Sequence, residues 1–88
     1  MPEQLYEIEF ARSASKELES LESTVVKRIV PKIKKLASEP RPPGCRKIAG
    51  SENSWRIRIG DYRVIYRIED QVLLIQVLAV RHRSKAYE

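Results

Sequence analysis

The fold is decided by residues 55–66, WRIRIGDYRVIY. On both sides of Gly60-Asp61, apolar residues alternate with arginines, which is the two-residue period of a strand with one buried face. Glycine at the first of two central positions is typical of a type II′ hairpin turn. The stretch therefore predicts two antiparallel strands that place Ile59 opposite Tyr62.

This hairpin register sorts the side chains into an apolar face and a basic face. A slip of one residue would mix the two sets, so the pattern itself supports the register. It places Arg58 opposite Arg63, and like charges in that position cost up to about 1 kcal/mol. Sheet stability does not explain such a pair. Anion binding does, and a solvated basic surface is the alternative. The basic face carries Arg56, Arg58, Arg63 and Arg67.

One strand and two helices are predicted before the hairpin. Residues 5–10 alternate like a strand, and apolar residues recur at helical spacing through residues 14–21 and 26–37. Ser23 is placed to cap the second helix. Pro31 predicts either a kink in that helix or a later helix start, because proline removes a helical hydrogen bond.

A third strand is predicted after the hairpin. Residues 72–80 are apolar apart from Gln76, which is typical of a central strand covered on both faces. The order is then β-α-α-β-β-β, with two helices packed on one face of a small, mainly antiparallel sheet. We expect an α+β fold.

Length and composition favour a single globular domain over residues 1–88, because the chain is too short for two independent domains. Lysine and arginine exceed aspartate and glutamate by 17 to 12, which suits a polyanionic partner. No apolar run is long enough to span a membrane, so we expect a cytoplasmic protein. The lone Cys45 predicts neither a disulfide nor a metal site. Catalytic triads, glycine-rich phosphate loops and paired carboxylates do not emerge from the sequence.

Three segments resemble the RelE-type toxins of the RelE/ParE toxin-antitoxin superfamily: PRPPG at residues 40–44, the hairpin at 55–66, and RHRSKAY at 81–87. The resemblance implies a RelE/ParE-like, microbial RNase-like fold and an mRNA endoribonuclease that acts in the ribosomal A site without metal or cofactor. It also implies a cognate antitoxin, bound as a heterotetramer or another hetero-oligomer. ParE members of the superfamily poison DNA gyrase instead, so a gyrase inhibitor or an inactive binding module is the alternative.

The resemblance also implies a set of site residues. Arg56 and Arg58 stand where RelE proteins often carry lysine. Arginine cannot replace lysine as a general base, because it stays protonated. His82 is a candidate acid or base, although strand alternation points it away from Arg81. The expected catalytic residues are Arg58, Arg63, Arg81 and Tyr87, and the expected RNA-binding residues are Arg56, Arg67, Arg83, Lys47 and Lys85.

Overall fold

A computed structural model of the chain describes residues 5–85. Two helices lie against one face of a five-stranded open sheet, with strand order β1-β5-β4-β3-β2. The edge strand β1 runs parallel to β5, and every other pair is antiparallel. The elements are β1 (Glu7–Phe10), α1 (Arg12–Glu19), α2 (Ser23–Lys35), β2 (Arg46–Lys47), β3 (Ser54–Ile59), β4 (Tyr62–Glu69) and β5 (Leu74–His82), with short 3-10 turns at Asp70–Val72 and Arg83–Lys85. The predicted α+β fold is confirmed.

The hairpin between β3 and β4 has the predicted register. Ile59 pairs with Tyr62 and Arg58 pairs with Arg63. Gly60 has a φ of 59°, whereas the φ of Asp61 is not positive, as a type II′ turn requires. The apolar side chains of both strands therefore face the helices, and the arginines face away.

The core lies between this apolar face and the two helices. Its helical side is built from Ala14 of α1 and from Ile29, Ile33 and Leu36 near α2. The spacing of three and four residues keeps these side chains on one face of each helix. Tyr66 is the largest fully buried side chain on the opposing sheet.

The structure corrects one expectation for α2 and excludes one of the two alternatives given for Pro31. The residue before the helix is Glu22, which makes no side-chain capping hydrogen bond, so the prediction that Ser23 caps the helix is wrong. Ser23 is instead the first helical residue. The helix also continues through Pro31, so it does not start later. Pro31 is exposed, where its ring faces solvent rather than the core.

The prediction that β5 is covered on both faces is wrong. The strand is central, between β1 and β4, yet its burial alternates over its first half: Ile75 and Val77 are buried, whereas Leu74 and Gln76 are only half-buried. The helices cover one face of the sheet, so the other face of β5 is sheltered only by its neighbours. No helix of the described residues is long and apolar enough to cross a membrane.

Candidate functional site

Three arginines form a row across the open face of the sheet. Arg58 on β3 pairs with Arg63 on β4, and Arg63 pairs with Arg81 on β5. Adjacent strands lie about 4.8 Å apart, so the outer two Cα atoms of the row are separated by roughly 10 Å. Arg63, in the middle, is only 9% exposed. The row therefore brings three guanidinium groups from three strands to one part of the surface.

A β-bulge in β5 places Arg81 in this row. The register shifts between Ile65 and Tyr66, so that Ile65 pairs with Ala79 while Tyr66 pairs with Val77, and Leu78 is the extra residue. Because side chains alternate along a strand, this extra residue reverses the faces of all later side chains. Without the bulge Arg81 would point toward the core, on the same face as Val77.

Two further arginines lie beside this row, toward the edge of the sheet. Arg46 on β2 pairs with Arg56 on β3. A concavity of about 170 Å³ is lined by Gly44, Arg46, Arg56, Arg58 and Arg63. Sequence reasoning missed Arg46, because a strand of two residues is too short to show a period. The basic pair Arg46-Lys47 beside a proline-rich connector was the available signal.

We call Arg46, Arg56, Arg58, Arg63 and Arg81 the arginine cluster. Arg81 Nε of this cluster lies 2.9 Å from Glu17 Oε2. Arginine binds phosphate oxygens through paired N–H donors. Closely spaced positive charges also raise the local concentration of anions. The cluster has the chemistry of a phosphate site.

Two of the remaining predicted RNA-binding residues, Lys47 and Arg67, lie away from the cluster. Lys47 pairs with Trp55 and so lies on the opposite face. Arg67 is on the open face but lies roughly 13 Å along β4 from Arg63, and its Nε donates to Glu69 Oε2 at 2.9 Å. Arg83 and Lys85 follow β5 in the last 3-10 turn. The predicted catalytic residue Tyr87 lies outside the described residues.

Comparison with known proteins gives the family of this chain. Residues 8–87 match the ParE toxin of the type II toxin-antitoxin system parDE. A RelE-like toxin protein of Escherichia coli is 30% identical over 86 residues, which are 93% of this chain and 90% of that protein. The chain belongs to the RelE/ParE superfamily of type II toxins.

Solved structures agree with this assignment. The archaeal RelE-RelB complex of Pyrococcus horikoshii matches the toxin with a TM-score of 0.80 and 29% identity, over 93% of this chain and 99% of that one. The intact Escherichia coli RelBE toxin-antitoxin complex matches with a TM-score of 0.78 and 26% identity, over 88% and 95% of the two chains. The resemblance to RelE-type toxins is confirmed.

The only histidine of the toxin lies away from the arginine cluster. His82 pairs with Tyr62, and the two rings meet edge to face with centroids 5.3 Å apart. Its Nδ1 lies 3.0 Å from Ser84 Oγ and accepts a hydrogen bond from the Ser84 backbone N–H at 3.2 Å. Strand alternation thus places the imidazole on the face opposite Arg81. Among residues 5–85, no three His, Cys, Asp or Glu side chains are grouped to hold a metal ion.

A second polar cluster lies at the opposite end of the sheet, and we call it the latch: Tyr6, Arg41 and Asp70, with Trp55 beside them. Arg41 Nη2 donates to Asp70 Oδ2 at 2.9 Å, and the Tyr6 hydroxyl donates to Asp70 Oδ1 at 2.6 Å. The Arg41 guanidinium also lies 5.2 Å from the centre of the Trp55 ring. The hydrogen bond from Arg41, and then that from Tyr6, lower the pKa of Asp70. The latch ties the proline-rich connector to the residue before β1 and to the 3-10 turn between β4 and β5.

Tyr66 of β4 also holds the proline-rich connector against the sheet. Its hydroxyl donates to the Pro40 carbonyl at 2.7 Å, and burial, followed by the nearby Cys45, raises the pKa of the phenol. The connector then borders a groove of about 470 Å³ between α2 and β3. The floor of the groove is apolar, with Leu36, Ile57 and Ile59, and its rim includes Lys32, Lys35 and Arg58.

Proposed function

We propose that this toxin is an mRNA endoribonuclease that cleaves without a metal ion or cofactor. The observation that carries the proposal is the register that aligns Arg58, Arg63 and Arg81 on one face. Like charges directly opposite each other destabilise a sheet. Their alignment is explained by an anion that binds between them, and a phosphodiester fits both the charge and the donor geometry.

In the proposed reaction, the ribose 2′-oxygen attacks the adjacent phosphorus. The O2′–P bond forms, the P–O5′ bond breaks, and the products are a 2′,3′-cyclic phosphate and a 5′-hydroxyl. Arg58, Arg63 and Arg81 stabilise the charge that grows on the phosphate oxygens, and such fixed donors are often the largest contribution to catalysis. Arg46 and Arg56 bind a flanking phosphate, and Arg83 lies close enough in the chain to contact another.

Proton transfer requires a group other than arginine, since the guanidinium stays protonated. We assign the base to Tyr87, whose phenol has an ordinary pKa near 10. Contact with an arginine lowers the pKa of a phenol. Tyr87 takes the proton of the 2′-hydroxyl, and the leaving O5′ takes a proton from water. His82 faces Tyr62 on the other side of the sheet, so we assign it a structural role.

The ribosomal A site and a cognate antitoxin are the proposed partners. The antitoxin assignment is supported by the relatives, which were solved as RelE-RelB complexes. A groove with an apolar floor and a basic rim suits an acidic, apolar antitoxin segment in a hetero-oligomer. Action on translated mRNA places the toxin in the cytoplasm.

The proposal is tested by expression of the toxin without antitoxin, followed by primer extension on cellular mRNA. Wild type should cut within translated codons, and purified toxin should cut ribosome-bound mRNA at the same positions. Arg63→Ala should lower the rate on the order of 100-fold or more. Arg12→Ala, an exposed arginine on α1, is the control for loss of one positive charge. Cleavage by Arg63→Ala at the wild-type rate would refute the assignment.

Inhibition of DNA gyrase is the second candidate, because the family match is to the ParE toxin. Gyrase inhibition requires no phosphodiester cleavage by the arginine cluster. It predicts intact mRNA, DNA damage after induction, and inhibition of gyrase supercoiling by the purified toxin. The same induction experiment therefore separates the two functions.

A further inference from the structure

Glu17 of α1 connects the helix to the arginine cluster through both oxygens of one carboxylate. Oε1 accepts a hydrogen bond from the Val80 backbone N–H at 2.8 Å, and Oε2 accepts one from Arg81 Nε at 2.9 Å. The side chains of Glu17 and Arg81 are 30% and 37% exposed. Neither the charge pattern nor the strand pattern of the sequence had indicated a role for Glu17.

The position of Glu17 follows from the way β1 ends. β1 pairs with β5 only as far as Val77, and α1 then covers the open edge of β5. Ser13 Oγ donates to the Leu78 carbonyl at 2.9 Å, and Glu17, four residues later on the same helical face, accepts from Val80. The first contact is made to the bulged residue itself, and the second satisfies an edge N–H that has no strand partner beyond the end of β1.

We propose that Glu17 is a positioning residue that holds the Arg81 guanidinium in the row with Arg63 and Arg58. The inference rests on the proposed nuclease function. Arg81 stands directly opposite another arginine, and mutual repulsion favours side-chain conformations that separate the two groups. The Glu17 carboxylate opposes this separation by holding Arg81 Nε. The other two nitrogens of the guanidinium, Nη1 and Nη2, donate to no acceptor among residues 5–85 and can bind phosphate oxygens.

The sharpest test is the isosteric substitution Glu17→Gln. Its amide oxygen can still accept from the Val80 N–H, whereas its NH₂ group faces Arg81 Nε–H, donor against donor. The helix and the edge of β5 should therefore remain intact while the guanidinium is released. We expect the single-turnover cleavage rate to fall on the order of 10- to 100-fold, the effect of misplacing a catalytic group.

Glu19→Gln provides the matched control. Glu19 is exposed and lies on the same helix, so its substitution changes the net charge equally without a contact to the cluster. It should cleave at the wild-type rate, and both variants should melt within a few degrees of wild type. Wild-type cleavage by Glu17→Gln would overturn the inference.

A double-mutant cycle separates positioning from general support of the fold. If Glu17 acts through Arg81, Glu17→Gln should cause no further loss in an Arg81→Ala background. If the two losses multiply instead, Glu17 acts elsewhere and the inference is wrong. A merely structural role predicts that multiplied result together with a lower melting temperature.

A readout without catalysis separates this inference from the proposed function. The ¹⁵N-detected Nε–H signal of Arg81 should be shifted and slow to exchange in wild type and in Glu19→Gln. Glu17→Gln should lose both properties. If wild type cuts no RNA but retains this signal, the nuclease proposal fails while the Glu17–Arg81 contact stands. If the wild-type signal matches that of a solvated arginine, the positioning inference fails even when RNA is cleaved.

Discussion

The arginine cluster and the latch use the same side chain in opposite ways. In the latch, Arg41 is hydrogen-bonded to Asp70 and lies over Trp55, so its charge is satisfied within the chain. In the arginine cluster, Arg58 lies opposite Arg63 and has no carboxylate partner among residues 5–85. Arginine stabilises the fold where it is paired with an acid. Where it lies opposite another arginine without an acid partner among residues 5–85, as Arg58 does, its N–H donors are available for a ligand.

The largest expected difference between the two regions is kinetic. Arg58→Ala should reduce mRNA cleavage on the order of 100-fold or more, because a preorganised donor to the phosphate is lost. Arg41→Ala should cleave near the wild-type rate while losing about 1 kcal/mol of stability, the usual value of an exposed ion pair with a cation–π contact. Single-turnover rates and urea unfolding of both variants measure the contrast.

The reverse pattern would break this comparison. If Arg41→Ala abolishes cleavage while Arg58→Ala does not, the catalytic surface lies at the latch end of the sheet. Arg12→Ala serves again as the control, since it removes an exposed positive charge from a helix that neither region includes.

The next largest effect is expected on stability, when the hydrogen bond that attaches the proline-rich connector to the sheet is removed. Tyr66→Phe removes a hydrogen bond to the Pro40 carbonyl from a residue that is 0% exposed. We expect the free energy of unfolding to fall by about 1–3 kcal/mol, because the carbonyl loses its buried donor. Tyr62→Phe is the control, as it also removes a phenolic hydroxyl while keeping the ring that packs edge to face with His82. Equal stability of the two variants in urea would show that the hydroxyl contributes nothing.

How far the arginine cluster could be predicted depends on the hydrophobic pattern of each strand that carries it. The hairpin was predictable because arginine and apolar residues alternate, so only one register separates them. The bulge was not, since residues 77–80 are all apolar and give no sign of the phase change at Leu78. Hence the alignment of Arg81 with Arg63 came from the resemblance and not from periodicity.

Contacts between distant segments were also beyond the sequence pattern. Tyr6 and Asp70 meet across most of the chain, and α1 meets β5 through Glu17. Such pairs depend on the strand order, in which β1 joins β5 rather than its neighbours in sequence. The sequence predicted which face is basic, whereas the structure showed which acids approach it.

Salt dependence gives a smaller but more specific contrast. Each phosphate contact to single-stranded RNA contributes a slope of about 0.7 in log affinity against log salt. Arg58→Ala should reduce the slope for a 2′-O-methyl RNA by about that amount, whereas Arg41→Ala should leave it unchanged. Fluorescence anisotropy at several salt concentrations measures both. Equal slopes for Arg58→Ala and wild type would remove Arg58 from the phosphate site.

The smallest expected effect is the acid sensitivity of the latch. Arg41 and Tyr6 lower the pKa of Asp70 from its ordinary 3.8. A lowered pKa in the folded state means that the unfolded chain binds the proton first, so stability is lost as pH falls. The excess stability of wild type over Asp70→Asn should be constant above about pH 5 and should shrink as the pH falls below 3.8.

Urea unfolding of the two proteins from pH 7 to pH 2.5 tests this expectation. Because the Asp70 side chain is 53% exposed, solvent screens the interaction and the change should be a fraction of a kcal/mol. Glu69→Gln is the control, since Glu69 pairs with Arg67 outside the latch. A wild-type advantage over Asp70→Asn that grows on acidification would mean that Asp70 is more easily protonated in the fold. The latch would then be a strained contact instead of a stabilising one.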